Sequence, residues 1–146
     1  MSRASLVELT NLCVICDGSR VLVQDKVGCG VVFPGGHVEP GESMLSSVIR
    51  EMREETGLVI EHPALCGIKD GMREDGTRFI VALYRADRFS GSLKSSEEGR
   101  MFWMEREDFA RLVTIWGMHE VWRVCASAEY SEMFYSEEKE GWVLLG

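Results

Sequence analysis

Residues Gly36 to Leu58 read GHVEPGESMLSSVIREMREETGL, and the organisation of the chain is best worked out from there. Pro34-Gly35-Gly36 breaks regular structure and lets the backbone approach a neighbour closely. From Ser43 to Thr56 the apolar residues Met44, Leu45, Val48, Ile49 and Met52 recur at helical spacing and define one apolar face. Glu42 and Ser43 stand where a first-turn acid and an N-terminal cap belong, and Gly57 stands at the stop. Glu51, Glu54 and Glu55 are spaced i, i+3 and i+4, so they leave one side of this helix beside its apolar stripe. Like charges at that spacing weaken a helix by roughly 0.2–0.5 kcal/mol per pair, so a cation should compensate. Arg50 and Arg53 are candidates, and Arg50 forms an i, i+4 pair with Glu54. A hard divalent cation answers the problem more fully, because Mg²⁺ takes oxygen ligands and binds through a few carboxylates plus phosphate. The Pro-Gly-Gly turn could add a backbone carbonyl.

Upstream of this stretch, Glu8–Cys16 reads as a strand, Asp17-Gly18-Ser19 as a turn, and Arg20–Gln24 as the hairpin partner. Gly28–Phe33 is glycine-rich and then β-prone. Downstream, Leu58–Ile60, Ala64–Lys69, Arg78–Arg85, Arg100–Met104 and Trp142–Leu145 read as strands. Glu107–Val113 and Val121–Ser127 read as short helices. Mixed strands with two or three helices predict a layered α/β domain spanning residues 1–146.

The 146 residues carry 24 Asp and Glu against 16 Lys and Arg, a formal charge of −8. A polynucleotide binder needs a basic face to neutralise phosphate, so a nucleic-acid partner is not expected. An acidic chain can still hold an anionic nucleotide through a divalent metal. Apolar runs are far shorter than a membrane span, and residues 1–9 contain no apolar leader core. Five cysteines, an odd number, fit free thiols in a reducing cytoplasm. Cys13 and Cys16 lie three apart in a strand, point to opposite faces, and are expected as core thiols rather than a metal pair.

Taken together, Gly36, Glu42, Arg50-Glu51, Met52, Glu54-Glu55, Gly57 and Leu58 match the pattern G-x5-E-x7-R-E-U-x-E-E-x-G-U at every specified position, U being apolar. This resembles the Nudix hydrolase family, in its MutT-like branch, and the flanking Phe33-Pro34-Gly35 and His37–Gly41 run agrees. The resemblance implies an α/β/α sandwich with a mixed β-sheet. It implies hydrolysis of the pyrophosphate bond in a nucleoside diphosphate linked to another group, with Mg²⁺ or Mn²⁺ as cofactor. Carried over, Glu51, Glu54 and Glu55 are metal ligands, one of them a candidate base. Gly35 offers a carbonyl, Glu42 sits in or near the metal shell, and Arg50 orients a box glutamate. A further carboxylate resembling the family's loop acid is sought at Glu97-Glu98, with Glu98 favoured. Gly36 and His37 are placed at the substrate phosphates, and Trp103, within Phe102-Trp103-Met104, at the nucleobase.

The accessory residues that mark ADP-ribose, dinucleoside-polyphosphate, coenzyme A and NADH hydrolases are missing at their spacings; Pro63 comes too early and Tyr84 too late. What remains is a small nucleoside-triphosphate pyrophosphohydrolase, with oxidised purines such as 8-oxo-dGTP among its candidate substrates. Val32 stands where related enzymes use a base-reading asparagine, so base reading here would fall to Asn11, an acid such as Asp108, or backbone groups. An ADP-ribose or sugar-nucleotide pyrophosphatase, a non-catalytic nucleotide-binding module and an RNA-decapping hydrolase are the alternatives. The intact glutamates disfavour the module, and the acidic charge disfavours RNA. A homodimer is compatible with the family.

Overall fold

A computed structural model describes residues 2–146. Strand β1 (Val7–Asp17) turns at Gly18-Ser19 into β2 (Arg20–Lys26), as the hairpin reading requires. Then come β3 (Gly30–Val32), β4 (Gly35–His37), α1 (Met44–Thr56), β5 (Leu58–Ile60), β6 (Ala64–Met72) and β7 (Arg78–Ala86). The chain ends with β8 (Phe89–Gly91), β9 (Gly99–Glu105), α2 (Arg106–Arg111), α3 (Met118–Ala126), β10 (Glu132–Ser136) and β11 (Gly141–Leu145). Ser43 caps α1 by accepting a bond from the Ser46 amide at 3.0 Å, and Gly57 closes it in the left-handed conformation at φ 79°.

Three short strands run where no strand is expected. β4 lies inside the Pro-Gly-Gly breaker, whose glycines take up extended pairing with β1. β8 pairs with β5, and β10 joins β6 in parallel. The two C-terminal helices fall close to their expected positions, displaced by one to three residues at their ends.

Strand β1 is the seam of the structure. Its long N-terminal part pairs in parallel with β7, while its end pairs with β2 at Cys16–Val21 and Asp17–Arg20. The order β11-β10-β6-β7-β1 continues through β2 into β3 and β9. Alternation along β1 sends Cys13 and Ile15 to one side and Val14 and Cys16 to the other. Cys13 and Ile15 meet Val48 and Met52 of α1; Val14 and Cys16 meet Phe109 of α2 and Val121 and Val124 of α3. Helices thus cover both sides of a mixed sheet. Both cysteines are core thiols, and all five in the chain are free.

One buried acid strains this frame. Asp70 on β6 is buried, receives Arg78 Nη1 at 3.2 Å on one oxygen, and has no partner on the other. Burial, with Glu132 beside it, raises its pKa to about 6 against the pull of Arg78. A carboxyl whose folded pKa exceeds its unfolded one favours folding while protonated. That advantage is complete below about pH 4 and is lost as pH rises through about 6. Asp70→Asn should therefore match the wild type at pH 4 and exceed it at pH 8, by on the order of 2 kcal/mol. Urea denaturation at the two pH values measures this; an equal gap at both would refute it.

Candidate active site

The centre of the site is Arg50. Its Nε and Nη2 donate to the two oxygens of Glu42 at 2.7 and 3.0 Å. Its Nη1 reaches Glu51 and Glu54, each at 3.1 Å, and its Nη2 also donates to the His37 carbonyl at 3.0 Å. One planar guanidinium thus joins the loop before α1 to two carboxylates on the helix, the bidentate geometry that favours arginine. Glu42 also accepts the Glu39 amide at 2.9 Å. With both oxygens engaged, Glu42 holds Arg50 and the loop, and its pKa is lowered chiefly by the Arg50 hydrogen bonds.

The helix glutamates differ in surroundings. Glu51 is buried, Glu55 half-buried and Glu54 exposed. Burial raises the pKa of Glu51, with Arg50 opposing and Glu54 and Glu55 adding to the rise. Burial also raises that of Glu55, the Ser96 hydroxyl opposing and Glu98 reinforcing. Ser96 Oγ donates to Glu55 at 3.1 Å and accepts the Glu98 amide at 3.3 Å, so the loop before β9 brings Glu98 to the helix.

Gly36 and Gly35 serve different ends. Gly36 packs against the carboxylate of Glu51, which a Cβ at that position would overlap. Bonds from Cys13 N to Pro34 O at 3.0 Å and from Val38 N to Leu9 O at 3.1 Å set the alternation of the β1–β4 ladder. Gly36 therefore exchanges bonds with Asn11, and Gly35 turns its carbonyl away from β1.

A cavity of about 550 Å³ opens beside these residues. Gly35, Gly36, His37 and Glu98 border it on one side, and Phe79, Lys69, Trp116 and Trp142 on the other. Asn11 and Gln24 line it between them. Asn11 Nδ2 donates to Ser47 Oγ at 2.9 Å, and that hydroxyl spends its hydrogen on the Met44 carbonyl at 2.7 Å. Ser47 can therefore only accept from Asn11. The amide orientation follows, and Oδ1 is left buried without a partner. The His37 side chain is exposed, 3.6 Å from Glu8; its carbonyl is the group that contacts the arginine network.

Trp103 is not brought to the cavity. It pairs with Leu22 in the β2–β9 ladder, packs against the core on the α1 side, and stacks on Phe89 at 5.4 Å. Asp108 is exposed on α2. The aromatic residues at the cavity are Phe33, Phe79, Trp116 and Trp142. Trp142, Lys69 and Gln24 have no sequence signal for this role. They arrive through the pairing of β10 with β6 and of β2 with β3.

Residues 8–123 match the NUDIX domain family. The chain belongs to the Nudix family. It is 38% identical over 113 residues to the Nudix hydrolase YvcI of Bacillus subtilis, covering 73% of this chain and 71% of that one. It is 30% identical over 109 residues to the CTP pyrophosphohydrolase of Escherichia coli, covering 70% and 78%. The MutT protein from Bacillus halodurans superposes with a TM-score of 0.73 at 26% identity over 95% of both chains. The chain is thus a MutT-like Nudix pyrophosphohydrolase, and small nucleotides are the substrates of this family. No helix among the described residues is long and apolar enough to cross a membrane.

The Gly36 contact yields a direct test. Gly36 has no positive φ, so Gly36→Ala leaves the backbone relaxed and displaces only the Glu51 carboxylate. Turnover should fall ~10²-fold, the scale of an ångström misplacement of a catalytic group, with the melting temperature nearly unchanged. Turnover close to wild type would disprove the contact's importance.

Proposed function

We propose that this Nudix enzyme hydrolyses the pyrophosphate bond of nucleoside triphosphates, with Mg²⁺ or Mn²⁺ as cofactor. The observation that carries the reading is the cavity itself: its volume suits a nucleoside, and its lining joins Gly35, Gly36 and Glu98, which adjoin the helix glutamates, to the rings of Phe79, Trp116 and Trp142. The resemblance to the E. coli CTP pyrophosphohydrolase supports a triphosphate. The named ADP-ribose pyrophosphatase of Methanocaldococcus jannaschii, 32% identical, matches over only 50% of this chain and 43% of its own.

The residues fit a hard divalent cation. No three His, Cys, Asp or Glu side chains among the described residues already converge on one point, since Arg50 stands between Glu51 and Glu54. The donor set is nonetheless all oxygen. Two of its carboxylates are held above their ordinary pKa by burial and by neighbouring carboxylates, Glu54 and Glu55 beside Glu51 and Glu98 beside Glu55, which a cation would relieve. Glu51, Glu54, Glu55 and the Gly35 carbonyl would hold it, with Glu98 adjoining. When bound, such an ion supplies positive charge to the diphosphate oxygens and acidifies water.

The chain's own residues do the rest. Arg50 fixes Glu51 and Glu54 in orientation; Glu42 fixes Arg50. Gly36 keeps the strand close to Glu51. Glu98, beside Glu55, is placed to receive a proton from attacking water. The aromatic walls hold the nucleobase by stacking, worth about 1–3 kcal/mol per base. Five free thiols suit a reducing compartment such as the cytoplasm.

A substrate panel tests the assignment: canonical ribo- and deoxyribonucleoside triphosphates, 8-oxo-dGTP, ADP-ribose and sugar nucleotides, with released pyrophosphate and phosphate distinguished. Pyrophosphate release from triphosphates is expected; turnover of ADP-ribose alone would overturn the triphosphate reading. Glu54→Gln, exposed and so tolerated by the fold, should lower kcat at least ~10²-fold. Near-normal turnover of the purified variant would remove Glu54 from the machinery.

A further inference from the structure

Cys66 and Cys125 are brought together by an irregularity in the sheet. In the β6–β7 ladder Leu65 pairs with Tyr84 and Gly67 with Leu83, so Cys66 is an extra residue without a partner, a β-bulge. Unbroken alternation would send residues 66 and 67 to opposite faces. The bulge instead turns Cys66 to the α3 side, where it packs against the cluster that holds Leu83, Val124 and Cys125. At Gly67 the two elements approach so closely that a Cβ would meet the Val124 side chain. On α3, Met118, Val121, Val124 and Cys125 form the buried stripe. Cys125 Sγ lies 3.8 Å from the carbonyl of Tyr84, the residue paired beside the bulge. The two thiols are within hydrogen-bonding reach of each other.

Their surroundings divide the roles. Cys66 is half-buried. The hydrogen bond from Cys125 brings its pKa down to about 7, with the Arg85 guanidinium helping and burial and Asp87 opposing. Arg85 is held there by donating to the Cys125 carbonyl at 3.3 Å and to Asp87 at 3.1 Å. Cys125 is buried, and both its bond to Cys66 and its burial push its pKa up, so it keeps its proton. Cys13 and Cys16 are buried as well, and burial raises both of theirs. A reachable thiolate beside a guanidinium, with a second thiol against it, is an oxidisable pair; a buried thiol alone is inert.

We propose that Cys66 and Cys125 form a redox-modification site, closing to a disulfide that staples α3 to β6 when a hydroperoxide reaches the protein. The Cys66 thiolate attacks a peroxide oxygen. A sulfur–oxygen bond forms, the oxygen–oxygen bond breaks, and hydroxide leaves and takes up a proton to become water. The Cys125 sulfur then attacks the Cys66 sulfur. The sulfur–sulfur bond forms, the sulfur–oxygen bond breaks, and the hydroxyl departs with the Cys125 proton as a second water. The two thiols together lose two electrons, and the peroxide gains them. A reducing dithiol restores both thiols by exchange, which suits a bond formed transiently in a reducing compartment. Cys125 lies about 10 Å along α3 from Met118, which borders the cavity. The inference therefore does not depend on what the cavity binds.

Hydrogen peroxide in slight excess over the full chain tests it. Thiols titrated in denaturant should fall from five to three, and peptide mapping should find a Cys66–Cys125 link within one chain that dithiothreitol removes. Cys66→Ser should keep its four remaining thiols through the same treatment, whereas Cys29→Ser should still lose two. In Cys125→Ser, Cys66 should stop at the sulfenic acid and be captured there by dimedone. Survival of all five thiols in the wild type, a link between two chains or between any other pair, or loss of two thiols in Cys66→Ser would overturn the inference. Absence of a dimedone adduct on Cys66 in Cys125→Ser would overturn its role as the attacking group.

Discussion

A single guanidinium between carboxylates is the constraint on which the site depends. α1 carries Glu51, Glu54 and Glu55 on one side, and the loop before it carries Glu42; without a cation among them this end of the molecule would repel itself. Arg50 bonds three of the four and a loop carbonyl besides. An ammonium could not do this, because a point charge lacks the planar fork that grips Glu42 with two nitrogens while a third reaches the helix acids. The salt links here are partly shielded, so they lose less to solvent than exposed pairs do. Their larger effect is geometric, since they fix where the loop enters and how Glu51 is turned.

The compensation is uneven, and the unevenness has chemical content. Arg50 opposes the effect of burial on Glu51. Glu55 has the Ser96 hydroxyl and, to a smaller extent, the charge of Lys26 in its favour, with burial and Glu98 against it. The pair Glu55–Glu98 is therefore a second place, besides Glu51, where an added cation would relieve negative charge. Ser96 ties the two together through one hydroxyl, so this imbalance is built into the fold. It is not an accident of side-chain placement.

The local elements were legible in the sequence because their causes are local. Apolar spacing, Ser43 and Gly57 define α1; Gly18-Ser19 defines the first hairpin; alternation across Cys13–Cys16 assigns the two faces of β1. The box glutamates and Arg50 were legible because their spacing alone puts them on one helical side. The aromatic wall of the cavity was not. Trp103 looked suitable by type, but its face is decided by its pairing with Leu22, which no local pattern reveals. Lys69 and Trp142 become neighbours only when β10 adds to β6 and β11 follows. Their sequence separation exceeds seventy positions, beyond any periodicity. Strand β4 was missed for the opposite reason: glycines that ordinarily break a strand are required here, Gly36 to clear Glu51 and Gly35 to clear the Asn11 carbonyl of β1.

The two halves of the site have one origin in topology. β1 and β2 begin as a hairpin yet stay paired only over Cys16–Asp17, after which β2 departs with β3 and β9. The exposed flank of β1 does not stay bare. Phe33 anchors in the core, Pro34 gives a carbonyl to Cys13, and β4 takes the place beside Thr10–Leu12 that β2 has left. Divergence of β2 opens the wedge in which Asn11 and Gln24 face a common cavity. Insertion of β4 sets Gly36 against Glu51 at its rim. A chain that kept β1 and β2 zipped along their full length would close the cavity and displace the glycine turn together. The glycine turn beside Glu51 and the cavity between Asn11 and Gln24 therefore depend on the same parting of strands, and neither is repositioned without moving the other.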